Sequence, residues 1–469
     1  MTTHSQTRRD VLKSASISSI GLAVGTGNVL ARDGREGNRS SADLEETLHT
    51  IATNTWGFFD AFSADETGLV PDRVDVTEAG YESQVNTSPA NIGVQLLSTV
   101  AATNLEIIDR SKGVTHVRTI LETLEDLERW NGHFYRWYDV QTGSIHDDFG
   151  GWWEISSIDN GWLSAGLVTA ASAFPEAREQ AESLLLAQDY DLLYNPEVYN
   201  PFEDGETLGH IRGGYDARTD EPLGFDYGMF NSETRIISYI GIGKGDIPRS
   251  HWWDPFRTFP AEWDQNQEPD GEFRTYEGNR VWEGHYEHEG TRYVPSWGGS
   301  MFESLMPSLV LSEREVGREG LGKNNDRQVQ LQIEHAAEND YEAWGFSPCA
   351  TPDGYAEFAV DHAGTEGYER DDFASPHATF LGLEYADESD FESALSSYLD
   401  RGLGTEYGLY DSMSLVDERV TEAYLSLDQA MILVAIANYL TDGSVRRDFR
   451  QHSVGSRPID LLAKERLTI

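Results

Sequence analysis

Apolar residues recur at helical spacing along most of this 469-residue chain, and no stretch alternates with period two for long. Ser88-Pro89 opens a helix over 91–106, with the serine as cap and the proline at the first helical position. Ser375-Pro376 repeats the device before 377–384. Over 115–130, Ile120, Leu121, Leu124 and Leu127 fall on one stripe, the mark of an amphipathic helix. The same spacing predicts helices over 159–173, 175–188, 232–241, 301–311, 326–343, 389–400 and 421–439. Residues 163–173 and 432–439 are apolar nearly all round, as in helices buried on both sides. Between the helices lie loops rich in Gly, Trp and Tyr, at 130–139, 149–153, 209–227, 251–263, 282–297, 344–355 and 407–410. The alternation predicts an all-α fold, a closed ring of helical hairpins with the loops gathered at one rim. No linker interrupts 43–442, which is expected as one domain, with 443–469 as a peripheral tail.

Charge changes this picture more than composition does. The chain has 81 acidic and 35 basic side chains, a formal net charge of −46, with 39% hydrophobic and 11% aromatic residues. That apolar content is enough for a large core, so a disordered acidic chain is excluded. Nucleic acid and anionic membrane surfaces are excluded as partners, because both must be neutralised by Lys and Arg. Only Lys13, Lys112, Lys244, Lys323 and Lys464 are lysines; every other basic residue is arginine. A self-repelling, lysine-poor surface is tolerable where salt shortens the Debye length to about 3 Å near 1 M. The chain reads as halophilic. Its lone cysteine, Cys349, excludes an intrachain disulfide and is expected as a small buried hydrophobe.

Arg8-Arg9, then a weakly apolar run at 15–30 rich in Gly, Ser and Ala, then Ala31, read as a twin-arginine export signal over 1–31. Residues 32–42 read as a polar linker. The run is too short and too Gly-rich to span a bilayer, which takes about 20 strongly apolar residues. The mature chain is therefore expected to be secreted, without an integral membrane span, and monomeric.

Neither a G-x-S-x-G nucleophile elbow nor a phosphate loop occurs. Gly241, Gly243 and Gly245 follow a helix and read as a helix stop with tight packing. His285, Glu287, His288 and Glu289 form the best metal-like cluster, but their order matches no zincin pattern, and a solvated acidic loop accounts for them better. No metal and no cofactor is expected. What remains is carboxylates amid aromatics. Trp and Tyr faces stack on pyranose rings, and two carboxyl groups in such a cavity can hydrolyse a glycan, one as acid and one as base or nucleophile.

The blocks SPANIGVQLL (88–97), GHFYRWYD (132–139), SSIDNGWL (156–163), YDLLYNP (190–196), NSETRIISYIGIGKGDIP (231–248), SWGGSMFESLMP (296–307), WGFS (344–347), YGLYD (407–411) and LDQAMILVAIAN (427–438) occur in this order. They resemble the glucoamylase-like domain of cyclic β-1,2-glucan synthases, a family that includes endo-β-1,2-glucanases and proteins labelled as glucoamylases. The resemblance spans roughly residues 50–440 and implies an (α/α)6 toroid with a central cleft.

By this resemblance, Glu233 stands where the family has its general acid, with Arg235 beside it as organiser and substrate contact. A helix-start glutamate would have its pKa lowered by the macrodipole, so Tyr227, Phe230 or a rim Trp must desolvate Glu233 enough to offset that. The synthases follow W-G-x-S with a Glu that looks like a nucleophile; here that position is Pro348, so a covalent mechanism through it is not available. The hydrolase-like relatives carry Asp-Gln in the last helix, as Asp428-Gln429 does here, which implies inversion with Asp428 activating water directly or through a relay. Asp139, Asp159 and Glu303 are candidate sugar-binding or rim carboxylates. Trp252, Trp297, Trp344 and Tyr355 are candidate stacking platforms, and His251 is placed in the cleft lining. Two departures bear on subsites: the acidic loop 263–293 is longer than the family's, and Arg136 replaces an Asn.

The expectation is thus a salt-adapted glycoside hydrolase acting on an oligo- or polysaccharide, with β-1,2-glucan as lead substrate. The alternatives are a glycan-binding protein without turnover and a polysaccharide lyase on the same toroid. The lyase would need a basic cluster for uronate carboxylates, which the scarcity of Lys opposes.

Overall fold

The computed structural model describes residues 41–147, 151 and 153–469. The expected export signal, and all but the last two residues of the expected linker, lie outside the described residues. Leu48–Ile469 is one compact unit.

Two kinds of helix alternate along it. Arg110–Asp126 buries only Gly113, Val117, Ile120, Leu121 and Leu124, one stripe of its surface. Ser41–Phe62, Arg178–Ala187, Leu321–Glu338 and Glu388–Asp400 are also one-sided. Pro89–Asn104, Ser157–Ala173, Arg235–Lys244, Met301–Leu305, Pro376–Leu381 and Ser426–Leu440 are buried along almost their whole length. The buried helices are neighbours of one another. Pro89–Asn104 packs on Ser157–Ala173 and Ser426–Leu440, Ser157–Ala173 on Arg235–Lys244, and Pro376–Leu381 on both Met301–Leu305 and Ser426–Leu440. The first crossing is backbone to backbone: a Cβ on Gly93 would lie 2.3 Å from the Trp162 carbonyl oxygen, and one on Gly166 would lie 2.3 Å from that of Gly93. A larger residue at either position would force the helices apart.

Most expected helices form, with boundaries moved by local chemistry. Ser88 Oγ accepts from Asn91 N at 3.2 Å, so that cap forms as expected, whereas Ser375 Oγ has no partner. The stretch 301–311 is an α-helix only over Met301–Leu305 and tightens to 3-10 over Met306–Leu309, where Pro307 removes a backbone donor. The expected start at 421 moves to Ser426, because Val420–Thr421 and Ala423–Leu425 pair as short strands. Gly245 ends its helix in the left-handed region, φ 91°, which fits the helix-stop reading.

Three expectations are corrected. The fold is helix-rich but not all-α, since much of the loop sequence forms antiparallel hairpins. The long acidic segment is the sheet Asp270–Tyr276, Asn279–His288, Thr291–Tyr293, its first turn closed by Glu277 (φ 51°) and Gly278 (φ 91°). Its period-two signal is faint in sequence because Asp270, Glu272 and Arg274 share one face of the first strand while the other carries only Gly271, Phe273 and Thr275. The His285–His288 cluster is accordingly strand, not solvated loop. His285 is buried against Thr468 Oγ1 at 2.9 Å, and the His288 ring stacks on His362 at 3.8 Å. Finally, 443–469 is no peripheral tail. Tyr239 Oη donates to the Gly455 carbonyl at 2.7 Å, and Arg257 pairs with Glu465 deep in the core. Removing one partner of such a buried pair costs about 3–5 kcal/mol. Cys349 is buried among Phe358 and Phe373, as expected of a structural thiol.

Candidate active site

The buried helices start with polar groups, and those starts face one another. Asn91 Nδ2 donates to Asp72 Oδ1 at 2.7 Å. Asp159, in the first turn of Ser157–Ala173, accepts from Ser156, Ser88 and the Ala90 backbone, and its charge reaches Asp72 and Glu233. Glu233 precedes Arg235–Lys244 and senses Glu303, in the first turn of Met301–Leu305. Asp428, in the first turn of Ser426–Leu440, senses Asp72. A chain of carboxyl groups therefore links five helix starts.

Glu233 faces a cavity of about 690 Å³ whose aromatic walls include Tyr227, Phe256, Phe259, Trp263, Trp297, Tyr355 and Tyr368. Desolvation by this wall pushes its carboxyl up to about 8; Glu303 and Asp159 add to the rise, while a hydrogen bond from Trp162 Nε1 at 3.4 Å and the Arg235 charge oppose it. The sequence left a contest between burial and the helix dipole, and burial wins. Phe230, offered as a desolvating residue, instead packs edge-on to Trp252 and under the Arg257 guanidinium. At neutral pH Glu233 carries a proton that its surroundings hardly engage.

Glu303 is on the same wall with the opposite surroundings. Its two oxygens accept from Gly298 N at 2.9 Å, Ser300 N at 3.1 Å, Ser300 Oγ at 2.7 Å and Ser296 Oγ at 3.2 Å. With the Ser300 side chain this makes a capping box. Burial pushes its pKa up and these donors pull it down. Its visible work is to hold the turn that carries Trp297.

Asp428 is 5% exposed and is not on the cavity wall. Its carboxyl is pushed up to about 7 by burial, with a hydrogen bond from Asp411 opposing and Asp72 adding. Asp411, 2% exposed, is raised well above the usual range by burial and then by Asp428; its Oδ2 accepts from Ala350 N at 2.6 Å. His377 Nδ1 lies 3.0 Å from Asp428 Oδ2, and burial lowers this imidazole to about 4, keeping it neutral. The two carboxyls thus act as a pair, their interaction raising Asp411 and lowering Asp428. Tyr355, 62% exposed on the wall, connects the two regions electrostatically, being within reach of the charges of Asp428, Asp411 and Glu233. At 5% exposure and off the wall of this cavity, Asp428 fits the relay form of the expectation better than the direct one.

Of the other candidates, Trp297, Tyr355 and Glu303 line the cavity, as does Pro348. Asp159 reaches Glu233 through its charge without joining the wall. Five expected substrate contacts are corrected to structural residues. Asp139 Oδ1 closes its own turn, accepting from Gln141 N, Thr142 N and Thr142 Oγ1. Arg235, 3% exposed, spends its donors on Glu313 (2.7 and 3.0 Å) and on the Ser232, Glu303 and Ser304 carbonyls; it organises the Glu233 turn but cannot reach a sugar. His251 is held between Ser238 Oγ at 2.7 Å and the Gly209 carbonyl at 2.9 Å. Trp252 donates to Glu465 at 3.2 Å and Trp344 to the Asp390 carbonyl at 3.2 Å, both within the core. Arg136 pairs with Glu154 and moderates Asp159.

Asp411, His377, Trp162, Trp263 and Tyr368 escaped the sequence reading as site residues. Asp411 and Trp162 stood inside quoted blocks, but residue type alone gave neither a direction. Trp263 began the acidic segment, and only the loop's pinned course brings it to the wall.

Residues 228–453 match the sequence family described as "Putative glucoamylase", and residues 50–200 match a family described as a protein of unknown function. The chain is 23% identical to the cyclic β-(1,2)-glucan synthase NdvB of Rhizobium meliloti, over 88% of this chain and 18% of that protein. It is 22% identical to an exo β-1,2-glucooligosaccharide sophorohydrolase of Parabacteroides distasonis, over 77% of this chain and 51% of that one. It spans about half or less of the length of these curated relatives. In fold it matches the endo-β-1,2-glucanase of Chitinophaga pinensis with a TM-score of 0.65 and 18% identity, covering 91% of this chain and 98% of that one. The resemblance noted in the sequence is borne out: residues 228–453 match the "Putative glucoamylase" family, in a chain whose fold is that of a solved endo-β-1,2-glucanase and whose relatives include a β-1,2-glucan synthase and a β-1,2-glucooligosaccharide hydrolase.

Proposed function

We propose that this chain is a glycoside hydrolase that cleaves β-1,2-glucan with inversion, exported through its twin-arginine segment and adapted to high salt. The observation that carries this reading is Glu233, protonated at neutral pH on the wall of an aromatic cavity. The neighbour contacts of the six buried helices support the reading of the fold as an (α/α)6 toroid, with Arg235 linking its own helix to Met301–Leu305.

Glu233 gives its proton to the glycosidic oxygen as the bond to C1 breaks. A water on the opposite face of the sugar attacks C1, and its proton passes to ionised Asp428 through intervening water at Tyr355. Inverting enzymes keep their two carboxyls about 6.5–9.5 Å apart to seat that water, and a relay permits more. Pro348 on the wall leaves no carboxylate at the position the synthases use, which favours attack by water over a covalent intermediate.

The cavity wall has Asp226, Glu233, Glu303 and Glu357 but no Lys or Arg among its lining residues. Such a wall repels uronates, which weighs against the lyase, and suits a neutral glycan. The test is a reducing-end assay in molar salt on a panel of β-glucans. Release from β-1,2-glucan, abolished by Glu233→Gln, is the expected outcome. Binding without release would favour the non-catalytic reading, and ultraviolet-absorbing unsaturated products the lyase.

A further inference from the structure

We infer that Trp263 and Trp297 form one pre-organised sugar-stacking platform, a chain-binding subsite for neutral β-glucan on the wall of the cavity that Glu233 faces. This rests on the glucan reading above.

The two indoles are among the few large apolar side chains left exposed, at 39% and 43%, and both line the cavity. They flank Phe259, whose ring lies 5.2 Å from Trp263 and 5.6 Å from Trp297, edge-on in both cases. Phe259 itself is 8% exposed and belongs to a small core with Phe256 and Met229. The flanking rings therefore sit on a fixed base and present surface to the cavity. Exposed aromatics on a fixed base bury large area at low entropic cost, which suits the apolar face of a pyranose.

What distinguishes this pair from incidental surface aromatics is the brace behind it. Trp263 is followed by three amide residues spaced along one loop, and each is tied down. Tyr286 Oη donates to Gln265 Oε1 at 2.7 Å. Asn266 N donates to the Thr365 carbonyl at 2.6 Å, and its side chain to those of Gly364, at 3.0 Å, and Asp361. Glu287 N donates to Gln267 Oε1 at 2.9 Å. The same 361–368 segment holds the other tryptophan: Thr365 N donates to the Ser296 carbonyl at 2.8 Å, Glu366 N to that of Trp297 at 3.0 Å, and Tyr368 N to that of Gly298 at 2.9 Å. One strip of backbone thus sets the positions of both indoles. The loop belongs to the acidic segment, yet its aromatic ring faces the cavity while the neighbouring Glu262 and Asp264 are exposed to solvent.

The test is calorimetric binding in molar salt, using full-length Glu233→Gln protein and β-1,2-glucan fractions from disaccharide to polymer. Adding Trp263→Ala is expected to weaken polymer binding at least about fivefold, with a loss that grows with chain length. Trp263→Phe should lose less, and Asn266→Ala should fall between because it frees the brace. Indole emission should change on glucan binding, and that change should shrink in Trp263→Phe, whatever the stability of the alanine variant. Polymer affinity within twofold of the parent, with no emission change lost, would overturn the platform alone. No β-glucan binding by the Glu233→Gln parent would overturn the glucan reading and the platform with it.

Discussion

Glu233 and Glu303 line the same cavity on adjacent helix starts, and the difference between them separates a chemical carboxyl from a structural one. Glu303 has donors on both oxygens, two from backbone N–H groups and two from serine hydroxyls. Glu233 has one long contact, from Trp162 at 3.4 Å. Burial raises both, but only Glu303 has a set of donors that opposes the rise. The lesson concerns satisfaction rather than burial. A carboxyl whose oxygens are taken up by donors is committed to holding a turn, and one left with a single weak donor can give its proton to a substrate oxygen.

The largest effect is expected from Glu233→Gln, which should lower kcat on an active glucan by about 10²–10⁴-fold while raising, not lowering, the unfolding midpoint in denaturant at neutral pH. Near-normal turnover would remove the donor role. Asp428→Asn comes next, with a loss of about 10²-fold in kcat and little change in KM; an unchanged kcat would exclude the relay. Glu303→Gln should do the reverse of Glu233→Gln. Its amide turns a donor toward donors, costing about 1–3 kcal/mol of stability by urea unfolding, with turnover per folded molecule far less affected. The smallest effect is that of Trp162→Phe, which removes the one donor that stabilises ionised Glu233. The alkaline limb of the pH–rate profile, expected near 8, should move upward by less than about one unit. A downward shift would mean that the indole acts by some means other than this hydrogen bond.

Stability should record the same asymmetry. Glu233 has a folded pKa of about 8 against 4.5 in the free side chain, so its protonated form is favoured by the fold. Its contribution is present below about 4.5 and is lost as pH rises through about 8. Glu233→Gln should flatten the decline of stability across that window.

The architecture was legible where the residue pattern has one interpretation. The all-round apolar runs in 157–173 and 426–440 could only be buried helices, and the serine–proline start at 88–89 marked one end. Hairpins such as Asp270–Tyr276 with Asn279–His288 were hidden, because the face opposite Asp270, Glu272 and Arg274 offers one large apolar residue, Phe273, too few to mark an alternation. The 22-residue helix Ser41–Phe62 was missed because it followed directly on what read as a linker. In the site, Glu233 and Trp297 were found through motif resemblance, and Tyr355 as a candidate stacking platform. Trp344 and Arg235 stood in quoted blocks, and His251 and Trp252 were cleft candidates too, yet all four point into the core. A block places a residue in sequence near the site without saying which way its side chain turns, and aromatic or cationic identity adds nothing to that. Asp411 shows the converse: its partner Asp428 lies 17 positions along the chain, and only the fold makes them a pair.

The most direct test of the account is a carboxyl titration that does not depend on turnover. Isotope-edited infrared or carbon NMR spectra of the wild-type protein and Glu233→Gln, recorded from pH 4 to 10 in molar salt, isolate this one group by difference. A carboxyl titrating near 8 that vanishes in the variant is the predicted result. If the missing group titrates near 4.5, Glu233 is ionised at neutral pH and is not the proton donor.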